Sequence, residues 1–485
     1  MLRRLASQSA VYALGTALTK ASGLLLAPLY LDPAFLTGDE FGTLGLIDAV
    51  KAFALLLAAL GLPVALLRFA SHATLTDSER AAMPVTVLAV AAVSGGVLAL
   101  AAWLAAPMLA SWLVEDASRT LPVILLAAFV ALKGVADVSY TELRRREQAG
   151  AFVAASLAET AVLIASVWWF LSRGDGLEGV LKGYVVSAAV AAVGLTPIVL
   201  GRARWRVNPR LIRRLVAFGA PLIVSGVAAR FLNLGDRLIL DVFVSREAMG
   251  VYEWASRLGG VVNMVAVQGF GLAFTVLGLK AAASGEAPDL QRSAFRHFAA
   301  WAGWVVLGLT LFAVDATRLF AEDPRYLQIE GLVLLIGGGF GVYGLYFVAV
   351  NPLLAAGRTR AVATAVGGAA VLNVALNVAL IPALGIAGAA WATLVAYLAL
   401  VAVTARLARG SVETRYPWVS LAWVAALVVG LWAVAVPTAG WPVVARVAAR
   451  AVLAAAYVPL LWAVGVYGRE DFARAREAVR AVAGR

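Results

Sequence analysis

Cysteine is absent from the sequence, and histidine occurs only twice, at His72 and His297. Disulfides and thiolate-ligated metal sites are thereby excluded, and a histidine-rich metal centre lacks ligands. Charge is scarce as well: 14% of the 485 residues are charged, where a soluble domain carries about a quarter. Long polar stretches are missing too. The longest internal loops include GRARWRVNPRLIRR (201–214) and LKAAASGEAPDLQRSAFR (279–296), so no soluble domain is expected between apolar runs. There is no Walker loop, no HExxH, and no histidine placed to activate a serine. Catalytic machinery is not visible, and a non-enzymatic role is expected, with no cofactor.

What is present is hydrophobicity, at 62% of residues and a mean hydropathy of +0.88. Windows of about 20 apolar residues mark about fourteen spans. They lie near 9–30, 41–69, 84–106, 119–142, 149–171, 178–200, 215–243, 249–279, 297–320, 328–354, 361–381, 386–406, 418–438 and 442–467. The expected fold class is therefore an all-α polytopic membrane protein. The first run follows Arg3 and Arg4, as a signal peptide would. Lys20 interrupts it, it is too long for an h-region and more spans follow, so it reads as the first transmembrane helix.

The formal charge of +12 would suit nucleic acid in a soluble protein, but its distribution says otherwise. Arg3, Arg4, Arg80, Arg144, Arg145, Arg146, the 201–214 linker, Lys280, Arg292, Arg296, Arg358, Arg360, Arg406, Arg409, Arg415 and the tail arginines share one side. The opposite loops hold Arg119, Arg173, Arg246 and Arg325. This bias predicts both termini in the cytoplasm and explains the net charge without nucleic acid.

A repeat divides the chain. FLTGDEFGTLGLIDAVKAF and FVSREAMGVYEWASRLGGV align Phe35 with Phe243, Gly42 with Gly250 and Gly61 with Gly269. GDGLEGVLKGY and ALGIAGAAWAT align Gly176 with Gly385 and Gly179 with Gly388 at nearly the same offset. Six spans separate the copies, so both halves share one topology, a parallel repeat about an axis along the membrane normal. The expected organisation is two pseudo-symmetric six-helix lobes plus two C-terminal helices. It comprises an N-lobe (1–200), a basic cytoplasmic linker (201–214), a C-lobe (215–407), spans 13 and 14 (408–467) and a cytoplasmic tail (468–485). Gly339-x-Gly341-x-x-Gly344 imitates a dinucleotide fingerprint, but it lies inside an apolar span, where helix packing is expected.

Charges inside the spans are the informative residues: Lys20, Asp48, Lys51, Lys133, Asp137, Glu159 and Lys182, then Arg230, Asp236, Arg237, Asp241, Glu253 and Arg257. Facing lipid costs them several kcal/mol, so a bundle interior or a wet cavity is expected. RFLNLGDRLILD (230–241) concentrates them. At about 100° per residue, Arg230, Asn233, Arg237 and Asp241 fall within roughly 80° of one another, with Asp236 beside them. If the span enters near Leu215, Arg230 lies about 22 Å deep at ~1.5 Å per residue. Arg237–Asp241 and Glu253–Arg257 are each spaced to pair along their helices. Unpaired bases in a low-dielectric cleft suit an anion, phosphate above all. The carboxylates either pair with those bases or bind a coupling H⁺ or Na⁺.

FGAPLIVSGVAARFLNLGDRLIL followed by VSREAMGVYEWASRL resembles spans seven and eight of Wzx-type polysaccharide flippases, through Pro221, Asn233, Asp236, Arg237, Gly250 and Tyr252. NPLLAAGRTR and NVALNVALIPALGIAGAAWATLVAYL resemble that family's later signatures, with Asn373, Asn377, Pro382, Gly385 and Gly388 in place. The likeness covers spans 1–12; the last two are little more than hydrophobic. It is specific to the multidrug/oligosaccharidyl-lipid/polysaccharide exporter superfamily. It implies a two-lobed bundle working by alternating access in a bacterial or archaeal inner membrane. The cargo would be an undecaprenyl-diphosphate-linked oligosaccharide for lipopolysaccharide or O-antigen synthesis, and a polysaccharide polymerase would be a partner. On this reading Lys20, Lys51, Arg230, Arg237 and Arg257 line the cavity, and Asn233 bonds sugar hydroxyls. Asp236 and Asp241 orient the bases or couple an ion. Two relatives compete: a lipid II flippase, whose dense arginines at the start of the first two spans are not seen here, and a cation-coupled multidrug antiporter, which favours carboxylates. A membrane glycosyltransferase would need a large outer loop or an acidic catalytic motif, and neither is visible.

Overall fold

A computed structural model describes residues 22–71, 75–201, 205–284, 287–321, 323–409 and 415–468. It is 87% helical and holds no strand among the described residues, as a hydrocarbon solvent requires when every backbone group must be satisfied within its own segment. In chain order the helices are α1 (Ala27–Leu31), α2 (Gly38–Ala59), α3 (Leu62–Ser71), α4 (Asp77–Leu104), α5 (Ala106–Leu113), α6 (Leu121–Arg145), α7 (Ala149–Leu171), α8 (Gly176–Leu200) and α9 (Pro209–Phe243). They continue as α10 (Arg246–Val262), α11 (Gln268–Ser284), α12 (Ala287–Thr317), α13 (Glu330–Ala355), α14 (Thr359–Leu384), α15 (Ile386–Ala408), α16 (Trp418–Ala435) and α17 (Val443–Ala463). Thirteen stretches among these are long and apolar enough to cross a membrane, and they correspond to the second to fourteenth expected spans. Lys20 and most of the first apolar run lie outside the described residues.

Local chemistry sets where the spans begin. The amide of Glu40 donates to Thr37 Oγ1 at 3.2 Å while Thr37 N donates to Glu40 Oε2 at 3.1 Å. Thr76 and Glu79 repeat this reciprocal cap at the head of α4, satisfying amides that a helix start leaves orphaned. Asn208 accepts from the amides of Arg210 and Leu211 and so opens α9.

The chain packs as two compact units. One comprises Met1–Glu253 with Phe320–Glu322, the other Trp254–Leu319 with Asp323–Arg485. In the first, α2 and α3 are one span broken at Leu60 (φ 45°) and Gly61 (φ 68°). Glycine is required there. A Cβ on Gly61 would stand 2.6 Å from Gly219 Cα, and one on Gly219 would stand 2.0 Å from the Leu60 carbonyl, so α9 crosses this break backbone to backbone. The second unit disturbs the matching span differently, with a π-helical turn over Asn263–Val267 ahead of Gly269.

The internal repeat holds in three dimensions. In the first unit α8 packs along both α6 and α7; in the second α15 packs along both α13 and α14. The aligned Gly176 and Gly385 both adopt positive φ, 50° and 57°, at the heads of α8 and α15. Arg146, just past α6, donates to the carbonyls of Ile198 and Val199 at the end of α8 (3.2 and 2.9 Å). Arg358, past α13, donates to Leu407 O at the end of α15 (3.0 Å). Each half thus ties off its last span with a guanidinium on the helix C-terminus, where cations are favoured. Among the described residues this is an all-helical bundle whose two halves repeat one arrangement, with two C-terminal helices, α16 and α17, docked on α12. The first of the twelve lobe helices expected from the sequence lies largely outside the described residues.

The three glycines of the GxGxxG stretch all lie in α13. A Cβ on Gly344 would be 2.1 Å from the Phe298 ring, and Gly341 faces Ala302. Gly341 and Gly344 let α12 approach closely, and Gly339 faces Leu394 and Tyr397 of α15; no strand-to-helix phosphate loop exists there.

Candidate functional site

Among the described residues, the intramembrane charges expected in the first unit sort into five groups and one exception. The simplest group is Lys182 on α8, paired with Asp175 at 2.9 Å. Around α9, Arg237 pairs with its neighbour Asp236 at 2.8 Å and with Glu253 of α10 at 3.2 Å. The hydroxyl of Tyr252 donates to the second oxygen of Asp236, and the guanidinium lies 5.3 Å from the Tyr252 ring. All four residues are buried. Asp236, Arg237 and Tyr252, three positions of the span 7–8 signature, are therefore one hydrogen-bonded cluster. Its local cause is small residues on α2. A Cβ on Gly45 would crowd Glu253 at 3.3 Å, and one on Gly42 would overlap the Arg246 carbonyl and lie 3.0 Å from Gly250 N. The repeat-aligned pair Gly42 and Gly250 thus meet each other.

At the far end of α9, Asp241 forms an ion pair with Arg246 at 2.7 Å and accepts a hydrogen bond from Trp112 Nε1 at 3.0 Å. Arg246 also reaches Glu115 at 3.3 Å. The i, i+4 spacing of Arg237 and Asp241 allowed them to pair, but Arg237 pairs with Asp236 and with Glu253 of α10, and Asp241 pairs with Arg246. A buried guanidinium with two acceptors in reach has no reason to straighten along its own helix.

Lys51 on α2 pairs with Asp48 at 2.5 Å. Its ammonium stands 3.9 Å from the centre of the Tyr184 ring, and the Tyr184 hydroxyl donates to the same Asp48 oxygen at 3.2 Å. Lys133 on α6 bridges Asp137 at 3.2 Å and Glu159 of α7 at 2.7 Å, and Tyr140 OH donates to Glu159 at 2.8 Å. The Asp137 side chain keeps 43% of its surface accessible, against 11% for Glu159, so the cluster opens on the Asp137 side.

Arg230 is the exception. It is half-buried in mid-α9 and has no ion pair among the described residues. Asp137 acts on it electrostatically from beyond ion-pair distance. Asn233, one turn on, donates Nδ2 to the Ala229 carbonyl at 2.7 Å, and Gly226, one turn back, packs on Leu56. The face of α9 that the helical periodicity outlined is thus apolar contact at Gly226, a charge without an ion pair among the described residues at Arg230 and closed pairing at Arg237. Of the remaining expected residues, Arg257 is half-buried on α10 in the second unit, and Lys20 lies outside the described residues.

The second unit contains charges that the sequence did not single out. Arg446 and Arg450, one turn apart on α17, are 4% and 1% exposed. Arg446 meets Asp315 at 2.6 Å; Arg450 meets Asp315 at 3.4 Å and Glu330 at 2.9 Å. Arg450 also donates to the Leu311 carbonyl at 2.5 Å. Their i, i+4 spacing in the last span was the available signal, hidden because the acids lie in other helices. The signature asparagines serve packing here. Asn351 donates to the carbonyls of Phe274 and Thr275, and Asn377 donates to Asn373 O and Oδ1. Between α12, α13, α15 and α16 lies an apolar cavity of about 600 Å³, lined by Gly338, Val342, Trp391, Leu398, Val424 and Trp432 among others.

The family model described as "Polysaccharide biosynthesis protein" matches residues 5–274. No curated protein matches the chain. Among solved structures, the lipid II flippase MurJ in an inward closed conformation aligns with a TM-score of 0.75 at 12% identity, over 93% of this chain and 98% of that one. An inward-facing multidrug resistance MATE family transporter of the MOP superfamily aligns at 0.68 and 15% identity, over 81% and 94%. A point mutant of the Vibrio cholerae MATE transporter VcmN aligns at 0.57 and 13% identity, over 85% and 97%. At such identities these likenesses establish the fold. With more than half of the chain matched by the family model, this multi-pass membrane protein, built on the fold of the MOP-superfamily transporters, belongs to the polysaccharide biosynthesis protein family.

Proposed function

We propose that the protein is a flippase that moves an undecaprenyl-diphosphate-linked oligosaccharide from the cytoplasmic to the periplasmic leaflet of the inner membrane by alternating access. The observation that carries this reading is Arg230: a half-buried guanidinium within a span and without an ion pair among the described residues, in a chain of this family. An uncompensated cation in hydrocarbon costs several kcal/mol unless an anion or water meets it, and a diphosphate is the anion this cargo must bring. Lys51, Lys20 and Arg257 complete the cationic lining in this reading, Arg237 supports it from its closed cluster with Asp236 and Glu253, and Asn233 bonds sugar hydroxyls. Asp236 and Asp241 hold the bases or take up a coupling H⁺ or Na⁺. The two lobes, 1–200 and 215–407, are the rocking halves. The basic linker 201–214 and both termini lie in the cytoplasm, and a polymerase is the downstream partner.

The test is export. Arg230→Ala should abolish surface polysaccharide while the protein remains inserted at normal levels, and Arg230→Lys should retain part of the activity. Normal export by the alanine variant would overturn the assignment. The likeness to MurJ favours a second cargo of the same chemistry, lipid II. Flipping assays in proteoliposomes with each lipid separate the two, and transport of lipid II alone would replace the first reading.

A further inference from the structure

A groove of about 780 Å³ opens in the first unit between α2, α4 and the start of α9. Leu57, Val93, Val97, Val207, Ile212 and Ile223 line it, and Val93 and Val97 remain 66% and 61% exposed. Its one polar lining residue, Ser94, donates its hydroxyl to the Ala58 carbonyl at 2.7 Å, so the groove presents no free hydroxyl. From Ile212 to Ile223 the helix rises about 16 Å, roughly half the ~30 Å hydrocarbon core, which is the reach of one leaflet.

The end of the groove at Val207 and Ile212 is chemically different. Arg206 immediately precedes Val207, and Arg213 immediately follows Ile212. Both side chains are exposed, and neither has a carboxylate at ion-pair distance among the described residues. Arg214 is the arginine that does, meeting Glu79 at 3.6 Å. Trp205, 79% exposed, stands beside Arg206. Leu211 and Leu215, on the other side of the same helix turn, are fully buried against Leu66, Met83 and Val87, so the arginines sit on a fixed platform. An indole with two exposed guanidiniums, without ion-pair partners among the described residues and next in sequence to the Val207 and Ile212 end of a one-leaflet apolar groove, matches an amphiphile with an anionic head, the tryptophan and arginines taking the interfacial level.

We propose that this groove is a binding site for an anionic phospholipid. One acyl chain lies along Ile212 and Ile223, the phosphate is held by Arg206 and Arg213, and Trp205 lies at the glycerol level. The site is separate from the charged groups on α2, α6 and α10, and the inference stands whatever cargo the transporter carries.

The test uses purified full-length protein in detergent, titrated with dioleoyl phosphatidylglycerol or dioleoyl phosphatidylcholine, the bound lipid being counted by native mass spectrometry. Phosphatidylglycerol should bind at least tenfold more tightly than phosphatidylcholine. Arg206→Gln with Arg213→Gln should weaken phosphatidylglycerol binding about 30-fold, at roughly fivefold per arginine near a headgroup, and leave phosphatidylcholine unchanged. Val93→Trp, which fills the groove, should weaken both lipids. Free glycerol phosphate at millimolar concentration should not compete, because it lacks the chain. Phosphatidylglycerol carrying brominated chains should quench the wild-type protein more than Trp205→Phe. Equal binding of the two lipids by wild type, wild-type phosphatidylglycerol binding by the double variant, or displacement by free glycerol phosphate would each overturn the proposal.

Discussion

Arg450 and Arg230 are both guanidinium groups inside apolar helices, and their surroundings are opposite. Arg450 is 1% exposed and meets Asp315, Glu330 and the Leu311 carbonyl; with Arg446 it forms a neutral set of two arginines and two acids. Arg230 is half-buried and has no ion pair among the described residues. A closed set of charges gives a helix a fixed docking partner, here α17 on α12 and α13. An open charge leaves a site that something else must complete. Arg237, held by Asp236 and Glu253, belongs with Arg450 in this respect, although it shares a helix face with Arg230.

The contrast can be broken first where the effect is largest. Arg450→Ala strands Asp315 and Glu330 with only Arg446 between them, and should destabilise the second unit by about 3–5 kcal/mol, read as a drop in thermal unfolding temperature of the purified protein. Adding Glu330→Gln should recover part of that loss; no recovery would mean that packing, not charge, dominates there.

Arg237→Ala leaves two buried carboxylates and one tyrosine hydroxyl, and a loss of about 3 kcal/mol is expected. An unchanged unfolding temperature would place Arg237 with the open charges and erase the distinction from Arg230. By contrast, Arg230→Ala should not lower stability, because it breaks no ion pair among the described residues and removes a cation that is costly to hold inside a span. A large loss would reveal a hidden structural role.

The smallest effect concerns a closed pair in a loop. Between α12 and α13, the Arg325 guanidinium donates to Asp323 and holds its carboxyl below the ordinary carboxylate value. A lowered folded value favours the folded loop above the ordinary value of about 3.9, and that contribution fades as pH falls through the lowered value. Arg325→Gln should move the Asp323 carboxyl titration upward in a carbon-labelled NMR spectrum, with only a slight fall in unfolding temperature at pH 7 because the Arg325 side chain is exposed.

Much of the fold was legible because hydrocarbon leaves few options. Each ~20-residue apolar run must be a helix, so thirteen spans appear where hydropathy placed them. The repeat was legible through glycines whose conformations are demanding: Gly176 and Gly385 need positive φ, and Gly42 admits no Cβ. The charged residues of the first unit were recognisable as intramembrane charges, but not their partners. Helical spacing suggested Arg237–Asp241; the structure instead brings Glu253 and Tyr252 across from α10. Lys133 and Glu159 were likewise both visible, and only the packing of α6 on α7 joins them. The roles of Arg446 and Arg450 are not legible in the sequence, because their acids lie more than a hundred residues away.

By itself, then, the sequence determined the solvent, the helical class, the two-fold internal repeat and the residues that carry a desolvation cost. Those follow from composition and from periodicity within single helices, where neighbours are fixed by 3.6 residues per turn. Tertiary structure alone decided which charges are satisfied. An ion pair depends on a few ångströms between side chains of different helices, and that distance is set by how glycine-lined backbones approach, not by spacing along the chain. Arg230 and Arg237, seven residues apart on one face, differ for that reason.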